Sequence, residues 1–104
     1  MPFSSFARSF TAVTIEREAP AASGVYGISN AQRWLFIDET ENIRASLMGQ
    51  LANFSEGSDG MPSGFAFELS PPYSRTARRD RLITELQPLQ KHGAAAVPQQ
   101  RTRR

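Results

Sequence analysis

The sequence predicts a small α+β domain in which a β-hairpin, a helix, a third antiparallel strand and a second helix follow one another. Three patterns carry that expectation. Val25-Tyr26-Gly27-Ile28 and Trp34-Leu35-Phe36-Ile37 are short β-type runs around Ser29-Asn30-Ala31-Gln32-Arg33, whose Asn and small residues suit a five-residue hairpin loop. Ile43, Leu47, Leu51 and Phe54 recur at i, i+4, i+8 and i+11, with Met48 widening the stripe, so this helix should pack on the hairpin. Phe65, Phe67 and Leu69 alternate with Ala66 and Glu68, as in one half-buried strand. The expected sheet is antiparallel and three-stranded, flanked by helices.

In chain order, residues 10–15 (Phe-Thr-Ala-Val-Thr-Ile) alternate and are rich in β-branched side chains, which predicts a strand or extended arm. Residues 16–23 contain Pro20 and three alanines without a period and read as a connector, after which Gly24 permits a turn into the hairpin. The second hairpin run is apolar at every position, which suggests a central strand covered on both faces. Thr40 is the expected N-cap of the first helix, with Glu41 favourable to its dipole, and Gly49 weakens that helix slightly. Residues 55–64, rich in Gly and Ser, form a loop. Pro71-Pro72 breaks the chain, Ser74 is placed to cap the second helix, and Leu82, Ile83, Leu86 and Leu89 mark its buried side before Pro88 ends it. From Lys91 onward Gly, Ala, Gln and Arg predominate and disorder is expected. The organisation is thus an N-terminal strand or arm with its connector (1–23), the domain proper (24–90) and a basic disordered tail (91–104).

A chain of 104 residues has room for one domain, and its 39% apolar and 10% aromatic content supports a small core. Seven Gly and seven Pro imply a sizeable share of loops. With no cysteine, disulfides, thiolate catalysis and cysteine zinc sites are excluded, and a cytoplasmic location is expected. The apolar run Trp34-Leu35-Phe36-Ile37 is far short of the ~20 residues of a membrane span. No membrane partner is expected.

The net charge of +2 conceals an asymmetry. Residues 1–70 carry four Arg against eight Asp and Glu, whereas residues 71–104 carry seven Arg and one Lys against Asp80 and Glu85. A basic segment of this kind attracts phosphate backbones or an acidic partner, or forms a solvated helix face and a soluble tail.

Gly24-Val25-Tyr26, followed ten positions after Tyr26 by Leu35-Phe36-Ile37-Asp38 and then by Asn42-Ile43-Arg44, resembles the signature of the GIY-YIG nucleases. Leu82-Ile83-Thr84-Glu85-Leu86-Gln87-Pro88 is similar to the end of that family's closing helix, although Gln90 stands where Asn is common. The resemblance covers about residues 24–88 and implies a three-stranded antiparallel sheet flanked by helices. It also implies metal-dependent phosphodiester cleavage, with a divalent ion on a glutamate of the later helix, tyrosine hydroxyls around the attacking water, and an arginine on the first helix. In such a site the cation and guanidinium offset charge building on the phosphoryl oxygens, while a base or hydroxyl orients the water.

Matched residue by residue, Tyr26 is the retained position. The second tyrosine falls on Phe36, which keeps the ring and loses the hydroxyl. The glycine two residues later is Asp38, a carboxylate near where a phosphate should lie, and the next residue is Glu39 at a position the family varies. Ser46 stands for the arginine and Arg79 for the metal-binding glutamate. Arg44 is about 200° around the helix from Ser46, and Asp80 about 100° from Arg79, so neither reaches the vacated place in register. No cofactor is expected, and magnesium or manganese enters only for an active nuclease.

Asn42, Ser46, Gln50 and Asn53 form a neutral hydrogen-bonding row on the first helix, either a solvated face or a former phosphate groove now suited to an uncharged ligand or a protein. Trp34 is either core or a base-stacking platform, and His92 sits in the tail. There is no glycine-rich phosphate loop, no His-Glu-x-x-His and no nucleophile elbow. Three readings follow. The first is a catalytically degenerate domain binding DNA or RNA backbone weakly and without sequence preference, through Arg75, Arg78, Arg79 and Arg44. The second is a protein-interaction module on the same fold, and the third a divergent active endonuclease.

Overall fold

The computed structural model describes Phe3 and residues 7–30, 33–54 and 62–88. Seven elements follow one another: β1 (Arg8–Ser9), α1 (Ala12–Glu18), β2 (Gly24–Ser29), β3 (Trp34–Thr40), α2 (Ile43–Phe54), β4 (Gly64–Leu69) and α3 (Pro72–Leu86). All strand pairings are antiparallel, in the order β1-β4-β2-β3. The sheet therefore has four strands rather than three. The additional strand is the two-residue β1, which pairs Arg8 with Phe65 and Ser9 with Gly64.

β2 is the central strand, and every residue from Gly24 to Ile28 is buried. β3, expected to be central, lies at the edge of the sheet. Its apolar run reports covered faces rather than two lateral neighbours: Leu35, Phe36 and Ile37 are all buried, with Phe36 in one core and Ile37 in the other. On the first face α1 and α2 enclose Phe10, Ile15, Tyr26, Ile28, Phe36, Ile43, Leu47 and Phe65. On the opposite face α3 brings Leu82, with Ile83 and Leu86 beside it, against Val25, Ile37, Ala66 and Phe3. Gly27 leaves room on this second face for two rings, since a Cβ there would lie 2.8 Å from Trp34 and 3.0 Å from Phe3.

The first helix corrects the expected arm. Residues 12–18 are helical because Thr11 caps them, its Oγ1 accepting the Thr14 N–H at 3.2 Å, and because Ile15 and Ala19, one turn apart, reach the core with Phe10. Burial of that face overrides the β-branched preference.

In α2 the cap is Asn42, not Thr40. Thr40 ends β3, and Asn42 Oδ1 accepts the Ala45 N–H at 3.0 Å. The preceding two amides are bound by the α1–β2 connector: Ile43 N–H donates to the Ala22 carbonyl and Arg44 N–H to that of Pro20, both at 3.0 Å. Ile43 and Leu47 are fully buried, and Leu51 and Met48 pack beside them, as the stripe predicts. The Phe54 side chain lies outside the described structure.

β4 is the expected third strand of the sheet, but Leu69 at its end is 62% exposed rather than inward. α3 starts at Pro72, so Ser74 sits inside the first turn and is not the cap; Pro at the first helical position needs no N–H partner. The helix ends at Gln87, whose left-handed backbone (φ 48°, ψ 64°) directs its N–H to the Ile83 carbonyl. The loop over 55–61, Leu89 and the tail 91–104 lie outside the described residues. No described helix is long and apolar enough to cross a membrane.

Candidate functional site

Tyr26 faces α2. Gly24, two residues before it, sits where a Cβ would overlap the Glu68 carbonyl oxygen of β4 and approach Ile43 Cδ1 to 2.8 Å, so the strand and α2 meet closely at this point. Tyr26 is 2% exposed, and its ring centroid lies 5.9 Å from that of Phe36. Burial pushes its phenol pKa well up, the Asp38 charge adds to this, and hydrogen bonds with Gln50 and Ser46 act in the opposite sense. The hydroxyl is therefore neutral, suited to holding a hydrogen bond and not to acting as a base or nucleophile.

The neutral row on α2 is largely engaged within the fold. Ser46 and Gln50 bond Tyr26, Ser46 Oγ also lies 2.5 Å from Thr40 Oγ1, Asn42 caps the helix, and Asn53 Nδ2 donates to Gln50 Oε1 at 3.4 Å.

Across the edge of β3 stands a charged cluster. Arg75 Nε donates to Glu39 Oε1 at 3.1 Å, and its Nη1 reaches Ser23 Oγ at 3.0 Å and the Thr40 carbonyl at 3.3 Å. Thr76 Oγ1 lies within 2.7 Å of Glu39 Oε2. Arg79 Nη1 is 3.1 Å from Glu39 and 3.7 Å from Asp38, while its Nη2 donates to Asp80 at 2.9 Å. One turn away, Arg78 grips Glu68 with two parallel bonds, at 2.7 and 2.9 Å, and the carboxylate raises the guanidinium pKa further. The side chains of Arg75, Arg78, Arg79, Asp38, Glu39 and Glu68 are only 17–26% exposed.

The positions singled out by the resemblance thus converge. Tyr26 is the register partner of Asp38, the Phe36 ring lies tilted beside it, Ser46 bonds it, and Arg79 approaches Asp38 from α3. What converges is not a donor set for a divalent cation. At the place the resemblance assigns to a glutamate stands the Arg79 guanidinium, Asp38 and Glu39 both approach it, and among the described residues no group of three His, Asp or Glu side chains is placed to hold a metal ion. Arg44 stands apart, its Nε donating to the Ala19 carbonyl at 2.8 Å and tying α2 to the end of α1.

The sequence reading missed Glu39, Glu68, Thr76 and Ser23 as partners of the α3 arginines. No local signal pairs Glu39 with Arg75 across 36 positions. Glu39 opposite Val25 on β2, and Val25 opposite Glu68 on β4, put both carboxylates on the α3 side of the sheet. The chain matches no protein-family model, no curated protein and no solved structure.

Proposed function

We propose that the chain is a catalytically degenerate, GIY-YIG-like binding domain whose ordered surface serves protein contact. The observation that carries this reading is the engagement of Arg75, Arg78 and Arg79 by Glu39, Glu68, Asp38 and Asp80. With Arg81, α3 offers four guanidinium groups, and these four carboxylates offset them, so the face has no excess positive charge to draw a polyanion. A phosphate arriving there would meet Asp38 and Glu39 and would have to displace charge-assisted bonds already formed. The first amides of α2, which would otherwise attract an anion, are bound to Ala22, Pro20 and Asn42. Support for the family part of the reading is the convergence of Tyr26, Phe36, Asp38, Ser46 and Arg79 around the β2–β3 pair.

A second reading, weak non-specific binding of DNA or RNA backbone, is favoured by the charge asymmetry of residues 71–104. On that reading Arg75, Arg78, Arg79 and Arg44 carry the contact, with Arg101, Arg103 and Arg104 adding a smaller part.

The experiment is a salt titration of labelled DNA and RNA against the wild type and the Arg75→Gln/Arg78→Gln/Arg79→Gln variant, with the single substitutions standing in if the triple variant does not fold. Protein contact predicts lower stability and unchanged nucleic-acid affinity in the variant. A lost affinity, with the log–log salt slope reduced by about 0.9 for each phosphate contact removed, overturns it.

A further inference from the structure

The sheet face under α3 has a slot in its floor. Ile37, Gly27 and Ala66 lie side by side across β3, β2 and β4, so two of these three neighbouring places carry only a hydrogen or a methyl group. Leu82 and Ile83 of α3 and the half-buried Trp34 of β3 complete the slot. The Phe3 ring fills it. Phe3 is 3% exposed, its centroid lies 5.2 Å from that of Trp34 with the planes inclined at 35°, and a Cβ on Gly27 would stand 3.0 Å from Phe3 Cε2 and Cζ. Every other described member of this core belongs to a strand or to α3, whereas Phe3 lies in no helix or strand and is separated from β1 by residues 4–7. The slot is thus made by the part of the chain from β2 to α3, and its ring is brought from outside that part.

We infer that this slot is a docking site for a phenylalanine side chain, that Phe3 is its built-in occupant, and that a partner protein presenting phenylalanine on a short uncharged segment engages the chain by taking the place of Phe3. The inference rests on the protein-contact reading and gives it a surface and a class of partner. The resident ring states the chemistry: it is uncharged, and Pro2, Ser4 and Ser5 around it carry no charge either. An apolar slot deprived of its ring loses dispersion contacts on every side, and cavities of that kind take up a free aromatic group rather than water. A nucleobase would bury its polar edge against Leu82 and Ile83, which offer it no hydrogen bond. Because Phe3 belongs to no element, its departure unmakes no described strand or helix. While it is seated, a competing phenylalanine binds only in proportion to the fraction of slots left open.

The test uses the full chain, wild type and Phe3→Ala, with two amidated peptides: Met1-Pro2-Phe3-Ser4-Ser5 and the same peptide with alanine in place of phenylalanine. Trp34, the one tryptophan of the chain, reports the slot by its fluorescence. Expected is that the phenylalanine peptide binds Phe3→Ala and returns Trp34 emission toward that of the wild type, that the alanine peptide does neither, and that the wild type binds the phenylalanine peptide at least about tenfold more weakly. Gly27→Ala added to Phe3→Ala places a methyl group where the ring should enter and should weaken the peptide by a similar factor. If Phe3→Ala does not fold by itself, the phenylalanine peptide should restore its melting transition. Failure of that peptide to bind or restore Phe3→Ala overturns the slot, as does equal binding of the two peptides or equal binding to wild type and variant. Each of these results leaves protein contact standing, whereas nucleic-acid affinity lost in the triple arginine variant removes the parent reading independently.

Discussion

Tyr26 joins the two halves of the candidate site, because its ring belongs to the core while its hydroxyl is held by Ser46 and Gln50 and feels Asp38. Its raised pKa has a defined consequence for stability. The unfolded chain releases the phenolic proton at about pH 10, before the folded chain does, so the stabilising effect of the neutral phenol is complete below pH 10 and is lost as pH rises above it. The slope is at most about 1.4 kcal/mol per pH unit. Tyr26→Phe should cost about 1 kcal/mol at neutral pH through the lost hydrogen bonds and should flatten the alkaline loss. Urea unfolding at neutral and alkaline pH measures both; an identical alkaline loss in the two proteins would sink the assignment. The chemistry at this residue was half legible in the sequence. The resemblance puts Phe36 and Arg79 in the neighbourhood of Tyr26, whereas the Gln50 and Ser46 partners require α2 to be docked on β2.

Among the elements, the hairpin, α2 and β4 were legible because each carries its own period or turn chemistry. α1 was not, since Thr11, Val13 and Thr14 imitate a strand and only the Thr11 cap and the burial of Ile15 and Ala19 decide for helix. A two-residue strand such as β1 has no readable pattern, as its pairing is made by backbone. The largest gap concerned α3. Its arginines read as a cationic face, yet the strands opposite supply the carboxylates, and the pairing depends on topology that no helix-wide pattern contains. Glu39 is the centre of that clamp, touching Arg75, Thr76 and Arg79. Glu39→Gln should destabilise the protein by about 1.5–3 kcal/mol, the range for hydrogen bonds to charged groups, and the effect should shrink when Arg75 and Arg79 are already Gln. Additive losses in that double-mutant comparison would mean that the cluster is an exposed ion pairing of no energetic weight.

For the molecule as a whole, the purified chain is expected to leave supercoiled DNA and structured RNA intact with magnesium or manganese. Phe36, Ser46 and Arg79 each lack the group the chemistry implied by the resemblance calls for, and removal of one charge-stabilising group commonly costs ~10²-fold or more in rate. Metal-dependent nicking that disappears in Tyr26→Phe would restore the nuclease reading. The same architecture constrains how the chain acquires its shape during synthesis. Arg8 waits for Phe65, Ser23 donates its hydroxyl hydrogen to the carbonyl of Ser70, and Ser23 and Glu39 also wait for Arg75. Until β4 and α3 have left the ribosome, the first half of the chain lacks the partners that fix β1, the connector and the α3-side face of the hairpin. Such distant pairings close slowly compared with local ones. Val25 and Ile37 therefore wait for Leu82 to cover them, and the segment synthesised late acts as the cover for the segment synthesised early.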